Sequence, residues 1–275
     1  PMREPIGVLV SGGIDRGSVL LCRYRAVLNR GQSAARLKAF TLSVEGGGDD
    51  AERARDFLRR VDLEYLGETI EVDSTRIDPF EAVRVIEDYK PRDVECAAVG
   101  LALLAALRER YPEWRFLVDG DGGDENLKDY PIEENPELTI RSVVGNPLLY
   151  QEGWGVDRIK HSLTYSGGQS RGCVRTFAPL RRYDFVGFSP FTQPALVQLS
   201  SAIPFDNLTR GSHQALYDLK GEVMRRGIAA VLGVELPLFD KRRFQEGATS
   251  PSVFAARFDV APDAYRNHYL DSYRD

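Results

Sequence analysis

From Ile6 to Val118 short apolar, β-branched runs alternate with segments whose apolar residues recur at helical spacing. That alternation predicts an α/β fold, a parallel sheet wound with helices. Ile6–Val10, Leu37–Val44, Tyr65–Val72 and Arg115–Val118 read as strands; Asp15–Asn29, Asp50–Val61, Pro79–Tyr89 and Asp93–Tyr111 read as helices. The last helix is apolar on nearly all sides and is expected to be buried. Asp49 and Asp50 stand where an N-cap belongs, and Pro91 marks the break between consecutive helices. Beyond Asp119 the regularity fades. Residues 129–168 scatter Pro, Gly and Asn around one helical stretch near Val156–Leu163, and helical spacing returns at Gln193–Ala202 and Ser212–Leu232. The chain is read as a single domain over residues 1–275, an α/β part at about 5–131 followed by a mainly helical and loop part at about 132–275.

Composition narrows the class without naming a chemistry. A chain of 275 residues with 43% hydrophobic content can build a sizeable core, which excludes a disulfide miniprotein or a disordered tail. Lys and Arg number 36 against 41 Asp and Glu, a formal charge of −5, the wrong sign for gripping a polyphosphate backbone over a broad surface. No nucleic-acid partner is expected. Cys22, Cys96 and Cys173 form no C-x-x-C pair, which argues against a disulfide framework or a cysteine zinc site and fits a reducing, cytoplasmic compartment. No apolar run approaches the roughly 18–20 residues needed to span a bilayer, so no membrane partner is expected either.

Two glycine loops carry the candidate chemistry. The first strand runs into Ser11-Gly12-Gly13-Ile14-Asp15-Arg16-Gly17-Ser18 at the start of a helix. Glycines there let the backbone approach a ligand, and the unpaired N–H groups of the helix start make an anion site. An ordinary turn has the same look. Asp15 shifts the balance, because a carboxylate inside an anion cradle repels its ligand unless a divalent cation lies between them. The second loop, Asp119-Gly120-Asp121-Gly122-Gly123-Asp124-Glu125, follows the fourth strand. In a parallel sheet both loops reach the same crevice at the C-terminal strand ends. A calcium loop fails on spacing: its sixth position, a glycine, is Asp124 here, and its twelfth, a glutamate, is Tyr130. A purely structural acidic turn leaves clustered carboxylates repelling one another.

V-S-G-G-I-D resembles the S-G-G-x-D-S pyrophosphate loop of the ATP-pyrophosphatase (PP-loop) enzymes. D-G-D-G-G-D-E-N-L-K-D-Y-P resembles the S-G-E-G-A-D-E-L-F-G-G-Y-P stretch of asparagine synthetases, in the same order and at similar spacing. Phe40-Thr41-Leu42-Ser43 is similar to that family's T-F-S strand, and Tyr89-Lys90-Pro91-Arg92-Asp93-Val94 to its Y-D-P-T-T-V. Residues 237–247, containing Lys241-Arg242-Arg243-Phe244-Gln245-Glu246-Gly247, resemble both the asparagine synthetase R-x-K-E-x-F-x-D-G segment and the β-lactam synthetase P-K-L-G-V-H-E-G loop.

The resemblance implies an adenine nucleotide alpha hydrolase-like fold and an enzyme that adenylates a carboxylate with ATP and Mg²⁺, releases pyrophosphate, and forms an amide when ammonia or an amine displaces AMP. It implies Ser11, Gly12, Gly13 and Ser18 at the pyrophosphate, with Asp15 and Asp124 at the metal. Val10, Leu42, Ser43 and Gly120 would hold the adenosine. Lys241, with Glu246 and Gly247 beside it, matches the lysine that offsets charge on the pentavalent α-phosphate. Lys220 resembles a second phosphate-contacting lysine.

Four departures qualify it. Only five residues precede Ile6, so the expectation is a chain without its own glutaminase, fed by free ammonia, an amine on the substrate, or a separate amidotransferase subunit; a homodimer is left open. Arg16 replaces the last serine of the phosphate motif and either grips phosphate or fills the cradle. Asp121 stands where asparagine synthetases have Glu and β-lactam synthetases Tyr, which suits a proton acceptor for a different nucleophile. Val186 and Phe188 replace the Glu and Arg of the downstream G-V-E-x-R-x-P-F segment, which puts aspartate in doubt as the acyl substrate. The run Arg171, Arg175, Arg181, Arg182 is either a site for a substrate carboxylate or a surface charge cluster. Two other readings stand beside the ligase: a non-catalytic ATP-binding subunit, and a sulfur transferase using Cys173 near three arginines. Cys22 and Cys96 fall on apolar helix patterns and are expected to be buried.

Overall fold

The computed structural model describes residues 4–123, 126, 131–132, 135–139, 173–204, 207–208, 210, 213–239, 244–261, 263–272 and 274. In chain order the α/β part comprises β1 (Ile6–Leu9), α1 (Ile14–Asn29), β2 (Leu37–Val44), α2 (Asp50–Arg60), β3 (Gly67–Val72), α3 (Pro79–Ile86), α4 (Pro91–Arg110) and β4 (Phe116–Val118). A short antiparallel pair, β5 (Pro131–Ile132) and β6 (Asn135–Thr139), follows. After it come a π-helical turn at Cys173–Phe177, α5 (Ala178–Arg182), β7 (Val186–Phe188), α6 (Pro194–Ser201), α7 (His213–Leu232), α8 (Phe244–Ala248), α9 (Pro251–Phe258) and α10 (Ala264–Asp271). The strands and helices expected before Asp119 are all present, with ends moved by a few residues. The helical stretch near Val156–Leu163 lies outside the described residues.

The main sheet is parallel with strand order β3-β2-β1-β4-β7. Its central strands β1, β2 and β4 read as mainly apolar runs because both faces are covered. Alternate side chains then part to opposite sides. Val8, Val10 and Ala39 join α1, α2 and α7 through Leu20, Phe57 and Ile228. Leu9, Phe40, Leu42 and Val44 face α3 and α4 through Val83, Ala98 and Leu104. α4 is buried over much of its surface, as its composition predicts. Pro91 occupies the first position of α4, where no amide hydrogen is needed, and Asp78 caps α3 by accepting from the Phe80 and Glu81 amides. Asp49 precedes α2 but makes no side-chain cap bond. Among the described residues no helix is long and apolar enough to cross a membrane.

Candidate functional site

β1 has β2 on one side and β4 on the other, so the direction of winding reverses between β1 and β4. Strand ends splay apart at such a point, and the crevice between them takes ligands in α/β sheets. Both glycine loops leave the sheet here.

The first loop turns at Gly12, whose φ is +73°, and lies on α2; a Cβ at Gly12 would stand 2.7 Å from Arg53 Cβ and 2.9 Å from the Arg53 backbone carbon. Glycine meets both demands, the left-handed backbone and the close approach. Gly12→Ala should therefore destabilise the fold by about 1–3 kcal/mol, measured by urea unfolding. Gly13 is the N-cap residue of α1, and no side chain caps this helix, leaving its first-turn amides directed at the crevice. Ser18 is buried, with its hydroxyl donating to the Asp15 carbonyl at 2.8 Å.

The second loop packs tightly on the first. A Cβ at Gly120 would be 2.8 Å from the Arg16 nitrogen and 2.9 Å from the Asp15 carbonyl carbon, and a Cβ at Gly123 would run into the Asp15 carboxylate. Asp15 thus reaches the residue before Asp124, itself outside the described residues. A carboxylate at the junction of the two loops is of the donor chemistry that a divalent cation takes. Residues 189–191, just after β7, pin the loop from behind. Ser189 Oγ donates to the Asp121 carbonyl at 2.6 Å, and Asn126 Nδ2 donates to the Gly122 and Phe191 carbonyls at 2.9 and 2.8 Å.

Arg16 joins the loops. Its Nε donates to Asp119 Oδ1 at 2.6 Å and its Nη2 to Asp119 Oδ2 at 3.2 Å, while Nη1 lies 3.4 Å from Ser11 Oγ. Phe244 of α8 places its ring 4.8 Å from the guanidinium. Burial works against the charge on Arg16, but the Asp119 carboxylate outweighs it and holds the guanidinium pKa above its ordinary value. Asp119 also accepts from the Gly120 amide at 2.6 Å and from Thr176 Oγ1 at 3.0 Å. The same Thr176 hydroxyl lies within hydrogen-bond distance of Asp121 Oδ2. Asp119 stands where the asparagine synthetase stretch begins with serine, and Arg16 where the phosphate motif ends with serine. The two departures face each other as an ion pair.

Arg175, in the π-helical turn, is paired with Asp93 at the start of α4, and this carboxylate likewise outweighs burial in raising the guanidinium pKa. Arg182 pairs with Glu81 at 3.1 Å on the surface. The basic run is therefore divided between a buried pair and an exposed one, with Arg171 outside the described residues.

Leu42 and Ser43 lie buried in β2, beside Val10 at the end of β1. Gly247 of α8 packs against the Asp50 carboxylate at the start of α2, which brings the Glu246-Gly247 segment to the same end of the sheet. Lys220 lies on α7, and Lys241 falls outside the described residues. Cys22 is exposed, against expectation, because it sits on the outer flank of α1 next to buried Leu20 and Leu21. Cys96 is half-buried, and burial pushes its thiol up to about 11. Thr176, Asp93 and Ser189 were not visible as site residues in the sequence. Their links to the loops cross long stretches of chain, and no short-range spacing marks them.

Comparison with curated proteins finds no match. The family model described as asparagine synthase matches residues 2–170, more than half the chain and both glycine loops. With a parallel sheet that sets those loops side by side, the chain belongs to the asparagine synthase family, a family of ATP-dependent amide-forming ligases.

Proposed function

We propose that the chain is an AMP-forming amide synthetase. A substrate carboxylate oxygen attacks the α-phosphorus of ATP, the bond to the β-phosphate breaks and pyrophosphate leaves. A nitrogen nucleophile then attacks the acyl carbon, AMP departs and the nitrogen loses a proton. The observation that carries this reading is the contact between the two loops, with Gly120 against the Arg16 amide at the open end of β1 and β4.

Ser11, Gly12, Gly13 and Ser18 with the amides of α1 receive the pyrophosphate. Val10, Leu42, Ser43 and Gly120 border the adenosine. Asp15 and Asp124 hold Mg²⁺, which when bound neutralises phosphate charge. Lys241 and Lys220 bind phosphate oxygens, and Glu246 and Gly247 set the segment carrying Lys241. Asp121, whose carbonyl and carboxylate are both tethered, accepts the proton of the nucleophile. The nucleophile is ammonia or an amine, delivered freely or by a separate amidotransferase subunit.

Arg16 spends two donors on Asp119, which speaks against its gripping phosphate. The test is pyrophosphate release from purified protein, expected only when Mg²⁺, ATP and a carboxylate acceptor are all present. ATP binding without release across a broad panel of acids would replace this reading with a non-catalytic nucleotide-binding subunit.

A further inference from the structure

The first loop keeps no cation for phosphate. Arg16 is the only basic residue between Ser11 and Ser18, and it is bound to Asp119 through two donors. The hydroxyl hydrogen of Ser18 is likewise engaged, with the Asp15 carbonyl. A departing pyrophosphate carries several negative charges, whereas the open amides of a helix start amount to about half a positive charge.

α2 brings a cation to the same place. Gly12 of the first loop and Gly17 of α1 are both seated on this helix: a Cβ at Gly12 would stand 2.7 Å from Arg53 Cβ, and a Cβ at Gly17 would stand 2.6 Å from the Phe57 ring. Arg53 and Phe57 are one helical turn apart and Phe57 is fully buried, so α2 holds one register against the loop. On the same face of α2, the Asp50 carboxylate packs on Gly247 of α8. The root of the half-buried Arg53 side chain thus stands between the first loop and the Glu246-Gly247 segment, at the crevice end of the sheet. Side chains of a helix lean toward its N-terminus, and long ones lie over the preceding turn. For Arg53 that turn begins at Asp50, where α2 starts beyond the C-terminal end of β2. The lean carries its guanidinium from Gly12 toward the crevice.

We propose that Arg53 is a pyrophosphate-binding residue, its guanidinium closing over Gly12 onto the β- and γ-phosphates and holding them as the leaving group departs. A guanidinium takes two phosphate oxygens at once through paired N–H donors. The inference rests on the synthetase reading for the departure of pyrophosphate, but its capture by Arg53 can be measured without turnover.

The experiment is calorimetry of the full chain with magnesium pyrophosphate and, separately, with AMP. Arg53→Ala keeps the Cβ that Gly12 rests on and suits a helix, so an unchanged Tm is expected. The variant should bind pyrophosphate about tenfold or more weakly. Its affinity for AMP, which lacks the β- and γ-phosphates, should be unchanged. Arg53→Lys keeps the charge but loses the fork; it should fall between the two, and it serves if the alanine variant does not fold. Pyrophosphate release with ATP·Mg²⁺ is recorded for a panel of acids. Pyrophosphate binding that depends on Arg53, with no release from any acid, overturns the synthetase reading and leaves the Arg53 assignment standing. Release at an unchanged rate and unchanged pyrophosphate affinity in the variants overturn the Arg53 assignment and leave the synthetase reading. Absence of pyrophosphate binding by the unaltered protein, or an equal loss of AMP and pyrophosphate affinity, also overturns the assignment.

Discussion

Arg16→Ala should lower the unfolding free energy by about 3–5 kcal/mol, because it leaves the Asp119 carboxylate, 1% exposed, without its countercharge. Hydrogen bonds from the Gly120 amide and Thr176 remain, but neither carries a charge. Returning both positions to the serines of the related motifs removes the two charges together. The double variant Arg16→Ser, Asp119→Ser should therefore be less destabilised than the sum of its single changes, with an interaction energy of roughly 1–3 kcal/mol in a urea-unfolding cycle. Additive losses would mean that the pair is no more than a crystal-like contact of convenience, with the two loops held by backbone packing alone. A coupled result would show that this chain has replaced a neutral junction between its loops with an ionic one.

The largest effect on turnover is expected at Lys241. If it supplies the fixed cation for the α-phosphate, Lys241→Ala should reduce the rate of pyrophosphate release by about 10²–10³-fold, the usual cost of removing one preorganised donor from a transition state. Binding of an ATP analogue, measured by calorimetry, should change far less, since the loop amides of α1 are untouched. Loss of binding and rate in parallel would place Lys241 in ground-state recognition. An unchanged rate would remove it from the site, and Lys220 would then be the remaining candidate.

The α/β half was legible because its central strands are short, mainly apolar runs, whereas α1, α2 and α3 repeat apolar residues at helical spacing and α4, apolar on nearly all sides, is too long for a strand. Leu37–Val44 could be read to the residue, since eight consecutive positions lie inside the sheet. β7 escaped notice for the opposite reason: Val186 and Phe188 are 48% and 37% exposed, Gly187 separates them, and the strand forms the sheet edge. α6 and α7 were legible from their helical spacing at Gln193–Ala202 and Ser212–Leu232, whereas α8, α9 and α10 span only five to eight residues and their apolar spacing is weak. The start of α9 did carry a signal in Ser250-Pro251, where the serine caps the Val253 amide and proline takes the first turn. At the site the glycines and Asp15 were readable because a strand-to-helix phosphate turn is a local device. The Arg16–Asp119, Arg175–Asp93 and Thr176 contacts join elements far apart in sequence, and nothing in local spacing announces which charge meets which.

The strand order also bears on how the crevice comes into being. Ile6 pairs with Leu37 on one side and with Phe116 on the other. The first pairing closes across a single helix, whereas the second must wait for α2, β3, α3 and α4 to be gathered in. Searching for a distant partner slows folding far more than searching for a near one. The wall formed by β1, β2 and β3 can thus assemble early, and the opposite wall, with β4 and then β7, arrives late. Until it does, α1 presents its open amides and Arg16 its charge to bulk water, and the nascent chain has half a cradle with nothing to hold a nucleotide in place.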